Sequence, residues 1–293
     1  MCAILGYSKQ GYYKQLKAIE DDAFDEYLIV GLIKDVRKIW VRGSGRGLLK
    51  ALEVSFDEHK IKMGRDRFYE LLRRHNLFFN SSKRRAYTTN SYHRFYKYPN
   101  IVKELKTVKP NQLWVSDITY IWLDKEKCFC YLFLITDVYS RKIIGYSIMP
   151  TLKAIGALKS LSMAIKVSKV NAGSECIHHS DRGVQYCCDA YVKELNQQKI
   201  KISMTENGDP RENAIAERVN RTIKEEFTSQ KEISFPAIKI AQKELARFID
   251  FYNTKRPHRS IGNLTPEAAT KREGELKRMW KTYYKKVCDD GFT

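Results

Sequence analysis

The sequence predicts an α/β fold: a mixed-sheet core preceded by an all-α region. Three observations carry this expectation. The first hundred residues show repeated helical apolar spacing. Three consecutive runs rich in β-branched and aromatic residues follow Pro110. After them helix and strand patterns alternate, so parallel strands are added to a sheet that begins as antiparallel hairpins.

The elements follow in order. "DEYLIVGLIKDVRKIW" (25–40) has helical spacing, as does "GLLKALEVSFDEHKI" (47–61). After a short break at "KMG", "RDRFYELLRRHNL" (65–77) supplies a second helix, and the pair has the outline of a helix-turn-helix. "QLWVSDITYIWL" (112–123) is the first strand, "DKEK" (124–127) a polar turn, and "CFCYLFLITDVYS" (128–140) and "RKIIGYSIMP" (141–150) its hairpin partners. Next come a helix over 152–169, a strand "ECIHHSD" (175–181), a helix over 186–198 and a strand "KISMT" (201–205). The last element of this series is "NAIAERVNRTIKEEF" (213–227), an amphipathic helix with Ile215, Val219 and Ile223 on one stripe. Asp209 can cap it, Pro210 suits its first position, and Glu212 lies three residues after the cap, so Glu217 is expected about two turns in. Locally, Glu217 reads as a surface charge paired with Arg221 at i,i+4, worth a few tenths of a kcal/mol.

The domain organisation expected is a helical region over 1–80, a basic linker over 81–109, an α/β core over 110–270 and a basic tail over 271–293. At 293 residues the chain can build an ample core, and 43% hydrophobic residues describe an ordinary globular protein. Its charge is less ordinary. Fifty-three Lys and Arg against 34 Asp and Glu leave +19, which suits a polyanionic partner. From Lys62 to Lys97 there are ten basic residues and two acidic ones, interleaved with Tyr and Phe, a composition fit for phosphate contacts and base stacking. Lys83, Arg84 and Arg85 form its densest stretch. The longest apolar run, Cys128 to Ile135, is too short to span a bilayer, and the N-terminus lacks a secretory pattern. Seven cysteines without metal-like spacing read as reduced thiols in a cytoplasmic protein.

Asp117 lies inside the first strand, where acidic residues are depleted, and Asp181 ends a later strand. A buried carboxylate needs a partner or a metal. Sixty-three residues separate Asp117 from Asp181, and 35 separate Asp181 from Glu217; Lys224 follows seven positions later on the same helical face. Asp137 reads as a structural turn residue. His178 and His179 read as positioning groups rather than zinc ligands, and Glu212 and Glu225 point elsewhere on the helix.

Strand Asp, strand-end Asp and helix Glu at this spacing resemble the catalytic triad of DDE transposases and retroviral integrases. "WVSDITYI", "HHSDRGVQY", "NAIAERVNRTIKEEF" and "YNTKRPHRSIGNLTPEAA" look like the integrase core of bacterial insertion-sequence transposases, specifically the IS-three-type group with two overlapping reading frames. The chain is similar to the second-frame product of that group from about residue 5 to 272, with "GYSKQGYYKQLK" and "HKIKMGRDRFYELLRRHNL" resembling its helix-turn-helix DNA-binding region. One departure is Glu212, where many relatives have Asp. The resemblance implies a ribonuclease H-like core and cleavage of transposon ends followed by 3′-hydroxyl strand transfer. It further implies Asp117, Asp181 and Glu217 as ligands of two Mg²⁺ ions, with Mn²⁺ able to substitute. Such ions sit about 3.5–4 Å apart in two-metal sites. Lys224 would contact DNA near the scissile phosphate, Arg221 would pair with Glu217 or touch DNA, and Arg256, His258 and Arg259 would lie on a DNA-facing loop. Double-stranded DNA is the implied partner, bound by a homo-oligomer, with the first-frame product as fusion or partner and a nucleoid-associated, cytoplasmic location. Two other classes share some of these features. A ribonuclease H-like nuclease would have the carboxylates without the helix-turn-helix and basic linker, and a non-enzymatic DNA-binding regulator would tolerate loss of the triad.

Overall fold

The structure, a computed structural model, describes residues 8–78, 93–169, 175–206, 213–228 and 235–280. It opens with helices α1 (Lys9–Arg37), α2 (Gly45–Ala51), α3 (Glu53–Glu58) and α4 (Arg65–Arg74). Ser44 caps α2, its hydroxyl accepting the Gly47 N–H at 3.2 Å. The single helix expected over 47–61 is broken at Leu52 into α2 and α3. Leu48, Leu52 and Phe56 nevertheless stay on one buried face and pack against Phe68, Leu71 and Leu72 of α4.

Strands β1 (Leu113–Leu123), β2 (Cys128–Asp137), β3 (Ile143–Met149), β4 (Ile177–Ser180) and β5 (Lys201–Met204) form one sheet in the order β3-β2-β1-β4-β5. The first three strands pair antiparallel, and β4 and β5 add in parallel. This is the mixed sheet of a ribonuclease H-like core. Side-chain alternation splits it into two faces. Phe133 and Ile135 face α5 (Ala154–Ser168), α6 (Val184–Cys187) and α7 (Asp189–Gln197), while Leu132 and Leu134 face the opposite layer. At Gly145, a Cβ would come 2.1 Å from the Ser160 carbonyl, so only glycine admits this approach of α5 to β3.

The opposite layer holds α8 (Ala214–Thr222), a π-helical turn (Ile223–Phe227) and α9 (Ile238–Thr254), followed by a short 3₁₀ turn and α10 (Pro266–Ala269). The N-terminal helices pack here too. Trp40, 1% exposed, lies between Phe227 and Phe251 at ring distances of 6.5 and 5.7 Å. Residues 93–109 run without regular structure along β5: Ile101 N–H donates to Ser203 Oγ at 3.1 Å and Pro99 C=O accepts from Met204 at 3.4 Å. That cover shields an otherwise open sheet edge. Among the described residues no helix is long and apolar enough to cross a membrane.

Candidate active site

The parallel register of β1 and β4 explains the spacing of the two aspartates. Leu113 pairs with Ile177 and Val115 with His179. Continued by two residues, that register sets Asp181, just past the carboxyl end of β4, level with Asp117 inside β1. Asp117 projects on the same side as Val115, toward α8.

The Asp117 carboxylate accepts from Asn220 Nδ2 at 2.7 Å and from the Ile118 N–H at 2.8 Å. Burial pushes its carboxyl up to about 7; the charge of Asp181 adds to this and that of Glu217 adds less, while the two hydrogen bonds oppose it. Asp181 is half-buried and accepts the Gly183 N–H at 3.0 Å, in a turn where a Cβ on residue 183 would sit 3.0 Å from the same oxygen. Glu217 is exposed, in the first turn of α8 and not two turns in, and partial desolvation raises its carboxyl. The cap expected from Asp209, Pro210 and Glu212 lies outside the described residues. Among the described residues no three His, Cys, Asp or Glu side chains are close enough to hold one ion. The arrangement is therefore open: two aspartates level with each other, and Glu217 standing farther off.

Lys224 follows on the π-helical turn. Desolvation lowers its ammonium and the Asp117 charge opposes that shift. Arg221 does not pair with Glu217; its Nε donates to Glu225 Oε1 at 2.8 Å. Asp137 is structural as expected, its carboxylate accepting from Asn111 N, Ser140 N and Ser140 Oγ.

Sequence reading missed Asn220. Its position offered a signal, three residues after Glu217 and so one turn along the same helix, buried beside the apolar Val219 and Ile223. It also missed a buried polar layer under the aspartates. Asn213 Nδ2 donates to the Ser116 carbonyl at 3.1 Å, and His178 Nε2 lies 2.6 Å from Ser116 Oγ and 2.9 Å from the Tyr191 hydroxyl. Burial, then the neighbouring His179, pushes the His178 imidazole down to about 3, so it is neutral. His179 Nδ1 lies 2.9 Å from Ser203 Oγ.

The loop expected to face DNA is turned inward for two of its three residues. Arg256 forms a two-point ion pair with Glu226, Nε to Oε2 at 2.8 Å and Nη2 to Oε1 at 2.6 Å, and its guanidinium lies over Trp40 and Tyr252. His258 is buried against the Tyr252 ring at 4.6 Å, and burial followed by Arg256 and Arg141 holds it well below the usual histidine range. A cation needs a buried counterion, and Glu226 supplies it from inside the protein. Arg259 is exposed, its guanidinium over Trp280 and donating to the Met279 carbonyl at 3.0 Å. Lys83, Arg84 and Arg85 lie outside the described residues.

Two family models described as "Integrase core domain" match residues 107–210 and 198–266. The chain is 32% identical over 273 residues to the insertion element IS600 uncharacterized 31 kDa protein of Shigella sonnei, covering 92% of this chain and 96% of that one. It is 28% identical to the transposase for insertion sequence element IS904 of Lactococcus lactis, over 75% of this chain and 92% of that one. Among solved structures, the HTLV-2 integrase catalytic core domain in complex with magnesium aligns with 55% of this chain and 97% of that one, at 14% identity and a TM-score of 0.40. The family models define an integrase-core protein. The chain belongs to the insertion-sequence transposases of the IS3 type, which are DDE-type polynucleotidyl transferases.

Proposed function

We propose that this chain cuts the ends of its element and joins the freed 3′-hydroxyls to target DNA, with Asp117, Asp181 and Glu217 as its catalytic carboxylates. One observation carries the reading: the β1–β4 register brings Asp117 and Asp181 level, and Asp117 is pushed up to about 7 partly by the Asp181 charge. Two carboxylates held this way repel each other when both are charged, which is relieved by a proton on one of them or by a cation between them. Integrase-like cores depend on divalent metal, and an all-oxygen donor set fits a hard cation such as Mg²⁺. Bound there, two such ions would activate the attacking oxygen and stabilise the leaving oxygen of a phosphodiester.

The chain's own residues do the rest. Asp117 would serve both ions, and Asp181 and Glu217 one each. Glu217 would complete the set from the first turn of α8. Asn220 holds the Asp117 carboxylate in place, and Lys224 offers its ammonium to the phosphate beside the scissile bond. Arg221 and Arg259, both exposed, suit backbone phosphates farther out, as does the Lys83–Arg85 stretch. Helices α2 to α4 would hold DNA as a helix-turn-helix. Cutting two ends and joining both in one event needs more than one active site, which favours a homo-oligomer on DNA, with the first-frame product as an additional partner. The chain would work in the cytoplasm, on the nucleoid. Incubation with labelled element-end duplex tests the reading. Joined product is expected with Mg²⁺ and none with EDTA, and joining that persists in EDTA contradicts it.

A further inference from the structure

Several buried polar atoms without a partner belong to residues on the segments that carry or touch the carboxylates. Among the described residues they include Tyr186 Oη, His178 Nδ1, Asn213 Oδ1, Asn220 Oδ1 and Arg182 Nε. Each is an unfavourable feature of a folded protein by itself, because a buried group without a hydrogen bond loses its hydration for nothing. An orphaned group beside such carboxylates is a candidate for a hydrogen bond made only when something binds there.

Tyr186 is the clearest case. It lies on α6, five residues after Asp181 and just past the Gly183 turn, and is 2% exposed. Its ring is fixed on two sides, 6.2 Å from the His178 ring and 5.5 Å from that of Tyr191. The neighbouring Tyr191 shows what an ordinary buried tyrosine does, with its hydroxyl 2.9 Å from His178 Nε2. The Tyr186 hydroxyl has no such acceptor, although the apolar pocket could have been filled by phenylalanine without this loss. Burial raises this phenol well above its ordinary value, and Asp181, then Tyr191 and Asp117, add to the shift, so the hydroxyl is a neutral donor.

Resting on the two-aspartate reading of the site, we propose that Tyr186 is a positioning residue for divalent-cation binding: its hydroxyl donates a hydrogen bond to the Asp181 carboxylate when a cation occupies the site. Carboxylates that bind a metal are oriented by such outer hydrogen bonds, and loss of one commonly weakens metal affinity 10- to 100-fold. The orphaned hydroxyl is then a donor kept ready for the loaded state.

The full chain and its Tyr186→Phe variant, with Tyr191→Phe for comparison, can be titrated with Mn²⁺ and read by calorimetry or by the Mn²⁺ paramagnetic resonance signal. Thermal unfolding in EDTA is measured alongside. Tyr186→Phe is expected to weaken Mn²⁺ binding about tenfold while unfolding at the same or a higher temperature. Tyr191→Phe is expected to do the reverse, losing stability while keeping Mn²⁺ affinity within about twofold. That combination separates positioning from mere packing, since a packing role would move stability first. Unchanged Mn²⁺ affinity in Tyr186→Phe overturns the assignment while leaving the metal site intact. Absence of Mn²⁺ binding by the native chain overturns the metal reading as well.

Discussion

Trp40 donates its indole N–H to Glu226 Oε2 at 2.6 Å, and through this bond the N-terminal helices meet the turn that follows the Glu217 helix. Glu226 also holds both arms of the Arg256 guanidinium, and its backbone carbonyl accepts from Arg42 at 3.1 Å. One carboxylate thus joins the first helical region, the end of the α8 segment and the loop after α9. Trp40→Ala removes a fully buried indole and is expected to destabilise the chain by about 3–5 kcal/mol. Trp40→Phe keeps most of the ring packing and loses the donor, so a smaller loss of roughly 2 kcal/mol should appear in denaturant unfolding.

Arg256 and Arg259 separate structure from DNA contact. Arg256→Ala strands Glu226 in a mostly buried place and is expected to cost roughly 3 kcal/mol of stability. Arg259→Ala should change stability by under about 0.5 kcal/mol and weaken DNA binding, since its side chain is at the surface. Unfolding and DNA binding measured on both variants check this, and the opposite assignment of the two losses would refute it.

Asn220 acts on Asp117 through a hydrogen bond that holds its carboxyl down against burial. Asn220→Ala removes that bond, so the carboxyl rises further and is protonated over a wider pH range. Joining should fall roughly 10- to 100-fold, and in EDTA the decline of stability with rising pH should extend to higher pH. A decline of unchanged position would show that the amide has no such hold.

The raised Asp117 carboxyl sets a sign for stability without metal. Between the unfolded value near 4 and the folded value of about 7, the native state carries a proton that the unfolded chain has released. Stability from this group is full below the unfolded value and is lost as pH rises through 7, by at most about 1.4 kcal/mol per pH unit. Thermal unfolding in EDTA from pH 4 to 8 should show this decline, and Asp117→Asn should flatten it.

Much of this architecture is legible in the residues. β-branched and aromatic runs mark β1, β2 and β3, and the 63-residue gap between Asp117 and Asp181 is the β1–β4 register written along the chain. Long-range pairing is what stays hidden. Arg256 and His258 look like surface cations in a Pro-containing loop, and nothing nearby in sequence reveals Glu226 and Tyr252 waiting inside. Arg221 has acidic residues four positions away on both sides, and local spacing cannot choose Glu225 over Glu217. The break at Leu52 has no glycine or proline to announce it. Orphaned atoms such as Tyr186 Oη exist only once the chain is folded.

The catalytic assignment is tested most directly by Mg²⁺-dependent cleavage and joining of element-end DNA by the native chain and by Glu217→Gln, at equal protein folding and equal DNA occupancy. The amide keeps the size of the side chain and removes its charge, and joining is expected to fall by about 10³-fold or more, in line with the loss of a group that acts in the transition state. Equal rates in the two proteins would contradict the role of Glu217 and with it the three-carboxylate site.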